Sequence, residues 1–202
     1  MRIAKEGYPL IFTGATLTIA ATAAGWKLIG GVLGLTTVAI AAFFRDPERR
    51  IPDGEGLVVS PADGKVVSIA DINGAKRVSI FLSPLDVHIN RVPVAGKVEE
   101  IRYQPGQFLA AYKEEASEQN EQNALKIVDS QGRVFGVIQI AGVLARRIVC
   151  WAKRGDTLKR GERFGLIMFG SRTDLYLPAG CSIEISEGQR VKGGETILGR
   201  VV

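Results

Sequence analysis

The chain opens with a long apolar stretch that is interrupted by a single charge. From Tyr8 to Phe44 the only charged residue is Lys27, which leaves apolar segments of 19 and 17 residues on its two sides. Roughly 17 to 20 apolar residues are needed to span a hydrocarbon core about 30 Å thick. Glycines flank Lys27 and favour a turn there. The pattern predicts an α-helical membrane hairpin over residues 1–45, whose halves either span the membrane or lie in one leaflet.

The pattern changes after the hairpin. Residues 46–56 are rich in proline, glycine and charge, which is typical of a linker. From residue 57 onward, short β-branched runs alternate with glycines and predict a mainly β, antiparallel catalytic domain over 57–202. The segment Lys113–Asn123 is almost entirely polar and predicts a surface loop or a short helix. The predicted strands are Leu57–Ser60, Lys65–Ala70, Arg77–Leu82, Lys97–Tyr103, Ala124–Val128, Val134–Ile140, Arg147–Trp151, Phe164–Phe169, Leu175–Leu177, Ser182–Ile185 and Thr196–Val201.

Two internal repeats occur within the predicted β domain. Pro61–Ile69 is similar to Pro93–Ile101, and Gly155–Glu162 is similar to Gly188–Glu195. The glycines of the second pair suit tight turns that need positive φ. Such turns are typical of hammerhead domains of the biotinyl and lipoyl type, so we expect hammerhead-like repeats. Carrier domains of that type hold a modified lysine between the repeats. No lysine lies between Glu162 and Gly188, which argues against a carrier function.

The net charge of +5 is concentrated near the hairpin. Residues 1–50 contain six basic and three acidic residues, which gives +3. Positive charge beside apolar segments predicts a cell-membrane protein with its catalytic domain on the cytoplasmic side. No basic run is interleaved with aromatic residues, which argues against nucleic acid as a partner. The first residues also have the elements of a signal peptide, but a second apolar segment follows at once and favours the hairpin.

Cysteine and histidine are scarce. Cys150 and Cys181 are too few for a disulfide framework and lie in apolar runs, so we expect free, buried thiols. His88 is the only histidine, and a histidine-based metal site is therefore not expected. Any imidazole chemistry in this protein must use His88.

The dipeptide Gly170-Ser171 can carry out chemistry on its own peptide bond. It joins an apolar run to a second strand, and Gly170 has no Cβ to shield its carbonyl from the Ser171 hydroxyl. Attack gives an ester, elimination gives dehydroalanine, and hydrolysis then gives a pyruvoyl group and ammonia. This needs a base and oxyanion donors. Gly-Ser dipeptides are also common turns, so the dipeptide alone is weak support.

His88 and Asp63 are candidates for activating this serine. His88 lies among polar turn residues and not on an apolar face, although a lone histidine is more often structural. Asp63 precedes Gly64 and could orient His88. A plain turn aspartate is the simpler interpretation of Asp63 from spacing alone.

Four ordered motifs, Ser60–Gly64, Phe81–His88, Ser117–Asn123 and Phe169–Ser171, resemble those of the phosphatidylserine decarboxylases. The preceding Phe43–Arg49 resembles their short prokaryotic and archaeal-type branch. The resemblance implies that Asp63, His88 and Ser171 form a self-cleavage triad and that the Gly170–Ser171 bond is cut. It further implies a covalent pyruvoyl cofactor made from Ser171, two associated chains (1–170 and 171–202), and a membrane phospholipid substrate, phosphatidylserine, converted to phosphatidylethanolamine.

Two departures from the larger branch leave the lipid class open. Arg172 stands where that branch has threonine, and Arg91 stands where it tends to have a second histidine. A related lipid such as archaetidylserine, with ether-linked chains, is therefore an alternative substrate. Arg146, Arg147 and Arg172 are phosphate-binding candidates by charge only, and each is expected on the solvated surface.

Other protein classes fit fewer of these features. A Ser/His/Asp hydrolase would use the same residues but lacks a Gly-x-Ser-x-Gly elbow. A membrane-tethered hammerhead binding module leaves His88 and Asp63 unexplained, and a soluble amino-acid decarboxylase leaves the hairpin unexplained. The oligomeric state stays open, with a homodimer as one alternative.

Overall fold

A computed structural model describes residues 2–72, 74–109, 119–142, 147–168 and 171–201. The chain divides into two compact units, Met1–Glu48 and Arg49–Val202. The division falls inside the predicted linker 46–56. Each unit is described separately below.

The first unit is a helical hairpin closed by a short strand pair. Strand β1 (Arg2–Ile3) pairs antiparallel with β2 (Arg45–Asp46), which brings the two ends of the unit together. A 3₁₀ turn at Lys5–Gly7 leads into α1 (Tyr8–Ala23), and α2 (Lys27–Phe43) follows after three residues. Gly25 in the connection has φ +82°, a conformation that favours glycine. The predicted pair of helices is present.

Small residues form the seam between α1 and α2. Gly14 faces Thr37 and Gly30 faces Thr22, and an added Cβ at either glycine would collide with the facing hydroxyl. The threonine hydroxyls donate within their own helices, for example from Thr22 to the Thr18 carbonyl at 2.8 Å. Small residues that allow close approach, with hydroxyls satisfied internally, are typical of helices that pack in lipid.

Large apolar side chains cover the outside of this hairpin. Leu28 is 82% exposed and Leu35 is 73% exposed. Helices of 16 and 17 residues are roughly 24 to 26 Å long at 1.5 Å per residue. Among the described residues, no helix has the length and apolar character needed to cross a membrane.

The second unit is built from short strands, and every described pairing between them is antiparallel. All eleven predicted strands have a counterpart. Three short strands, Ile89–Arg91, Thr157–Leu158 and Arg190–Val191, were not predicted, because each has only two or three residues and includes or adjoins polar or charged residues. The strands are β3 (Leu57–Val59), β4 (Gly64–Ile72), β5 (Ala75–Leu82), β6 (Ile89–Arg91), β7 (Gly96–Gln104), β8 (Gln122–Val128), β9 (Val134–Ile140), β10 (Ile148–Cys150), β11 (Thr157–Leu158), β12 (Arg163–Ile167), β13 (Ser171–Leu177), β14 (Cys181–Ile183), β15 (Arg190–Val191) and β16 (Ile197–Val201).

The strands form one large sheet and two small ones. The large sheet has the order β11-β7-β8-β9-β13-β5-β4-β15, and the small sheets have the orders β10-β12-β6 and β14-β16-β3. Their inward faces enclose a single large cluster of buried apolar side chains, among them Ile80, Phe135, Phe164 and Leu175. Strand β13 is flanked on both sides, by β5 and β9. The residues of β13 are therefore held rigidly inside the sheet.

The two similar turn segments make equivalent hydrogen bonds. In each segment the first glycine and the glycine just before the final glutamate donate their main-chain N–H groups to carbonyls of the matching strand segment, all at 2.8 Å. The bonds are Gly155 to Val98 and Gly161 to Val92 in one copy, and Gly188 to Val66 and Gly194 to Ser60 in the other. The sequence repeat therefore corresponds to a repeat of strand-and-turn pairing.

Residues 49–56 belong to the second unit and are held in it by hydrogen bonds. The Arg160 guanidinium donates to the carbonyls of Pro52 at 2.6 Å and Gly54 at 2.8 Å. The Arg50 main-chain N–H donates to the Glu195 carboxylate at 3.1 Å. The stretch after Glu48 is thus fastened to the β unit by polar contacts, despite its linker-like composition.

The expectation of a surface position for the polar segment 113–123 is wrong for its last residues. Asn120 is fully buried, and its amide accepts from the Leu109 N–H at 2.8 Å and donates to the Ala141 carbonyl at 2.7 Å. Asn123 is also buried and lies in β8. Amide side chains that bridge main-chain groups can be buried without loss of hydrogen bonds. Residues 113–118 lie outside the described residues.

Both cysteines are free thiols. Cys181 is buried and Cys150 is half-buried. Burial raises the pKa of each thiol above its ordinary value. Neither thiol is therefore poised for reaction as a thiolate.

Candidate active site

Ser171 is the first residue of β13 and lies directly opposite Leu82, the last residue of β5. Its side chain is fully buried, and its Oγ makes no hydrogen bond to any described residue. A buried hydroxyl without a partner is costly in a folded protein. Ser79 on β5 shares this property, and Ser171 differs from it by standing at the first position of β13, opposite the end of β5 where the segment toward His88 begins. Phe169 and Gly170, on the other side of the predicted cleavage bond, lie outside the described residues.

His88 follows a tight loop that begins immediately after Leu82. Within the loop, the Asp86 carboxylate accepts from the Ser83 N–H at 2.9 Å and from the Ser83 hydroxyl at 2.7 Å. The other Asp86 oxygen is paired with Arg190. The loop that carries the histidine is therefore fixed by the side chain of Asp86.

The main chain around His88 selects its tautomer. The His88 ring is buried, and its Nδ1 lies 2.9 Å from the Asp86 carbonyl oxygen. A carbonyl oxygen can only accept, so Nδ1 carries the proton in the neutral ring and Nε2 is the basic nitrogen. The His88 carbonyl in turn accepts from the Ile167 N–H at 3.2 Å, four residues before Ser171.

Asp63 is held from two sides. One carboxylate oxygen accepts from the Arg49 guanidinium at 2.7 Å, and the other accepts from the Gly193 main-chain N–H at 2.8 Å. Asp63 is only 9% exposed. Burial raises the pKa of Asp63 above its ordinary value, and the nearby Arg49 charge and the two hydrogen bonds oppose this rise without cancelling it. Such a perturbed, buried carboxyl is characteristic of functional sites.

Asp63 and Ser171 lie at the same end of the neighbouring strands β4, β5 and β13, and His88 lies in the segment that runs from that end of β5 to β6. Asp63 immediately precedes Gly64, the first residue of β4, and a Cβ at Gly64 would collide with the Phe81 carbonyl oxygen. Leu82, the next residue, pairs with Ser171, and the loop to His88 begins there. The direct Asp63–His88 contact of the triad stays a prediction. The described hydrogen bonds of Asp63 are with Arg49 and Gly193, and the His88 Nδ1 lies against the Asp86 carbonyl.

A chain of buried amides leads toward this end of β13. Asn123 donates to Gln139 at 2.9 Å, Gln139 donates to Asn90 at 2.8 Å, and Asn90 donates to the Thr173 hydroxyl at 3.1 Å. These four residues connect β8, β9, β6 and β13. Thr173 lies two residues after Ser171 on the same face of its strand. Sequence reasoning placed Asn90 among turn residues and missed Gln139, because one polar residue in an apolar strand has no distinctive spacing.

The arginines that mark departures from the larger branch have structural contacts. Arg91 is buried and donates to the Gly161 carbonyl at 3.0 Å. Arg172 is buried as well, and its guanidinium contacts both carboxylate oxygens of Asp174 at 2.9 and 3.0 Å. The expected surface position of Arg172 is therefore wrong. Arg147 is exposed as expected, and Arg146 lies outside the described residues.

The relatives that match this chain over nearly its whole length are proenzymes, a class of enzymes that are made as precursors. A relative from Syntrophus aciditrophicus is 47% identical over 98% of this chain and 96% of its own length. A relative from Desulfotalea psychrophila is 42% identical over 99% of this chain and 97% of its own. Both are named phosphatidylserine decarboxylase proenzyme, and the family profile described as phosphatidylserine decarboxylase matches residues 37–199. The chain belongs to the phosphatidylserine decarboxylase family and is an enzyme of phospholipid biosynthesis.

Proposed function

We propose that this protein cuts its own chain between Gly170 and Ser171 and then decarboxylates phosphatidylserine to phosphatidylethanolamine. The observation that carries the proposal is the Ser171 hydroxyl, which is buried at the start of β13 and makes no hydrogen bond to a described residue. The names of the relatives support the reaction, and their designation as proenzymes supports self-processing.

The chain's own residues account for each step of the cut. His88 Nε2 takes the hydroxyl proton of Ser171, and Oγ attacks the Gly170 carbonyl to give an ester as the Gly170–Ser171 amide bond breaks. Removal of the Ser171 Cα proton then releases Gly170 as a carboxylate and leaves dehydroalanine. Addition of water to dehydroalanine yields the pyruvoyl group and ammonia. The negative charge of Asp63 favours the imidazolium form that His88 adopts on taking the proton.

A pyruvoyl group at position 171 fits the site. When present, it supplies an electrophilic carbonyl that reacts with the substrate amine and withdraws electrons as CO₂ leaves. The residues around it hold and protect that carbonyl, since position 171 is fully buried and β13 is paired on both sides. His88 returns a proton to the substrate carbon that has lost CO₂.

We infer that the cleaved chains stay together. Seven residues of β13 pair with β5, and five of them also pair with β9. Further along the chain, β15 pairs with β4 and β16 pairs with β3. The 171–202 chain would therefore remain bound through several strands of the other chain.

The equivalent hydrogen bonds of the two turn segments also support a hammerhead-like duplication.

Intact-mass spectrometry of the purified protein tests the cut directly. We expect two chains, 1–170 and 171–202, with the smaller beginning in a carbonyl that borohydride reduces. The expectation follows from the chemistry of Ser171, because the amine of that residue is lost as ammonia. A single chain of 202 residues that still decarboxylates phosphatidylserine would contradict the proposal.

We propose that the hairpin lies in the cytoplasmic leaflet of the membrane. The short helices and their exposed apolar side chains support this arrangement. The β1–β2 pairing also gathers the basic residues Arg2, Lys5 and Arg45 at one end of the hairpin, where they can meet anionic headgroups. A phospholipid substrate gives the enzyme a reason to be anchored at the bilayer.

Deletion of residues 1–44 should separate anchoring from chemistry. The second unit contains all three triad residues and Arg49, so we expect the truncated protein to fold and to cut itself. Decarboxylation of phosphatidylserine in vesicles should fall by about tenfold or more, because the tether that concentrates enzyme at the surface is lost. Activity on short-chain, soluble phosphatidylserine should change much less. Aggregation of an uncut truncated chain would instead show that the hairpin is needed for folding.

A further inference from the structure

The carboxylate of Asp63 is clamped by residues that lie far away in sequence. Arg49 lies 14 residues before Asp63, and Gly193 lies 130 residues after it. Gly193 belongs to the 171–202 portion of the chain, whereas Arg49 directly follows the hairpin unit. The clamp therefore joins the two portions that the proposed cut separates.

The side chain of Arg49 is largely shielded from solvent and makes two charged contacts. Its side chain is 7% exposed, and it contacts Asp63 at 2.7 Å and Glu195 at 3.6 Å. Glu195 also accepts the main-chain N–H of Arg50 at 3.1 Å, which fixes the direction from which the chain enters. A buried arginine placed against a buried carboxylate loses its hydration, and each charge compensates the other for that loss.

The duplicated turn shows that the fold does not require this clamp. The other copy of the repeat consists of Pro93–Ile101 and Gly155–Glu162. In that copy, Ala95 occupies the position of Asp63, and Arg160 occupies the position of Gly193. That copy forms the same main-chain hydrogen bonds without a carboxylate, and the Arg160 side chain binds carbonyls of residues 52 and 54. Asp63 and the Arg49 side chain that contacts it are thus present in only one copy, the copy whose strand β4 pairs with β5, the neighbour of Ser171.

We propose that Arg49 is a positioning residue for the reaction: it holds Asp63 in its ionised form and aims the carboxylate at the His88 and Ser171 end of the sheet. This inference rests on the proposed function, since it assigns Arg49 a role only if Asp63 assists His88. The segment that follows the hairpin then contributes directly to the active site.

The electrostatics of the site support this role and set its pH dependence. Burial and the negative charge of Asp86 raise the pKa of Asp63, whereas Arg49 and the Gly193 N–H lower it. Asp86 is itself paired with Arg190, and Glu195 is paired with Arg49. His88, once protonated, would also favour ionised Asp63. Loss of the Arg49 charge removes the largest opposing influence, so Asp63 would become protonated at higher pH than in the native protein.

The test is the pH dependence of self-cleavage in full-length chains made by cell-free translation. In Arg49→Gln, cleavage should be roughly tenfold slower than in the native chain at the acidic end and should approach the native rate at alkaline pH. Arg49→Lys keeps the charge and should retain the native acid limb, which is the pH range in which cleavage slows on acidification. In a chain that already carries Asp63→Asn, adding Arg49→Gln should not move the acid limb further.

Matched controls separate this role from simple stabilisation. Arg50→Gln removes the same charge from the exposed neighbour, and Arg160→Gln removes the half-buried guanidinium of the turn segment Gly155–Glu162. Both variants should keep the native dependence of cleavage on acidic pH. Ser171→Ala, measured in parallel, must stay uncut, and if it is cut then the proposed function itself fails. If Ser171→Ala is blocked while Arg49→Gln keeps the native limb, only the inference about Arg49 is overturned. If Arg49→Gln fails to fold, Arg49→Lys provides the test. The inference would be overturned if cleavage of Arg49→Lys, which keeps the charge, had the same dependence on acidic pH as cleavage of Asp63→Asn.

Discussion

Ser171→Ala leaves the protein as one uncut chain of 202 residues with no measurable decarboxylase activity. The methyl group cannot attack the Gly170 carbonyl, and no pyruvoyl group can form from alanine. Both losses are complete, because the same side chain is the nucleophile of the cut and the source of the cofactor. Intact-mass spectrometry and CO₂ release from phosphatidylserine measure the two effects.

Ser79→Ala is the matched control for this variant. Ser79 is another buried serine whose hydroxyl makes no hydrogen bond to a described residue, and it lies on the neighbouring strand β5. Its removal deletes the same atom from a similar environment, so this variant should mature and decarboxylate normally. Cleavage of Ser171→Ala at the same bond would show that another nucleophile cuts the chain.

His88→Gln should slow self-cleavage by about 10²- to 10⁴-fold, the usual contribution of a general base. Glutamine is close in size, and its amide can donate to the Asp86 carbonyl as Nδ1 does, but it cannot accept a proton near neutral pH. The rate of precursor disappearance after synthesis measures the effect. Decarboxylation by whatever fraction matures should fall as well, because His88 also returns the proton to the substrate.

The solitary histidine makes this prediction easy to control. An NMR spectrum of protein that is isotopically labelled on histidine should show a single imidazole signal. Loss of this signal in His88→Gln assigns it to His88 without further variants. In the native protein the tautomer with the proton on Nδ1 should dominate the neutral form. Normal cleavage by a folded His88→Gln protein would mean that a different group activates Ser171.

Most of the architecture could be predicted because it rests on local patterns. The helical pair follows from two apolar segments around Lys27, and the long strands follow from β-branched runs between glycines. Strands such as Thr157–Leu158 and Arg190–Val191 could not be predicted, since they exist only through pairing with distant partners. Their pairing is set by the turns beside them.

The site could be predicted only as far as its chemistry is visible in side chains. His88 and Ser171 could be proposed because they stand in ordered motifs that resemble those of the family, whereas a lone histidine or a Gly-Ser dipeptide carries little information by itself. The Arg49–Asp63 pair could not be found, because nothing in spacing shows which of many arginines reaches a given carboxylate. Gly193 contributes through its main-chain N–H, which leaves no trace in residue type.

Errors arose where polar composition was equated with exposure. Arg172 and Asp174 are both buried because each satisfies the charge of the other. Asn120 is buried because its amide replaces main-chain partners at both of its ends. In each case a polar side chain is matched by a specific partner, and composition carries no record of that partner.

The position of β13 inside the large sheet would make the proposed cut a one-way change in how the protein can fold. As a precursor, the strand is inserted between β5 and β9 while it is covalently joined to both, so assembly is a first-order process. After the cut at Ser171, the same strand is a separate peptide, and recovery from unfolding requires two molecules to meet. The covalent connection that kept the strand at a high effective concentration near its partners would be lost. The mature enzyme would therefore keep its fold chiefly through slow unfolding, and dilution after denaturation would leave it unable to reassemble.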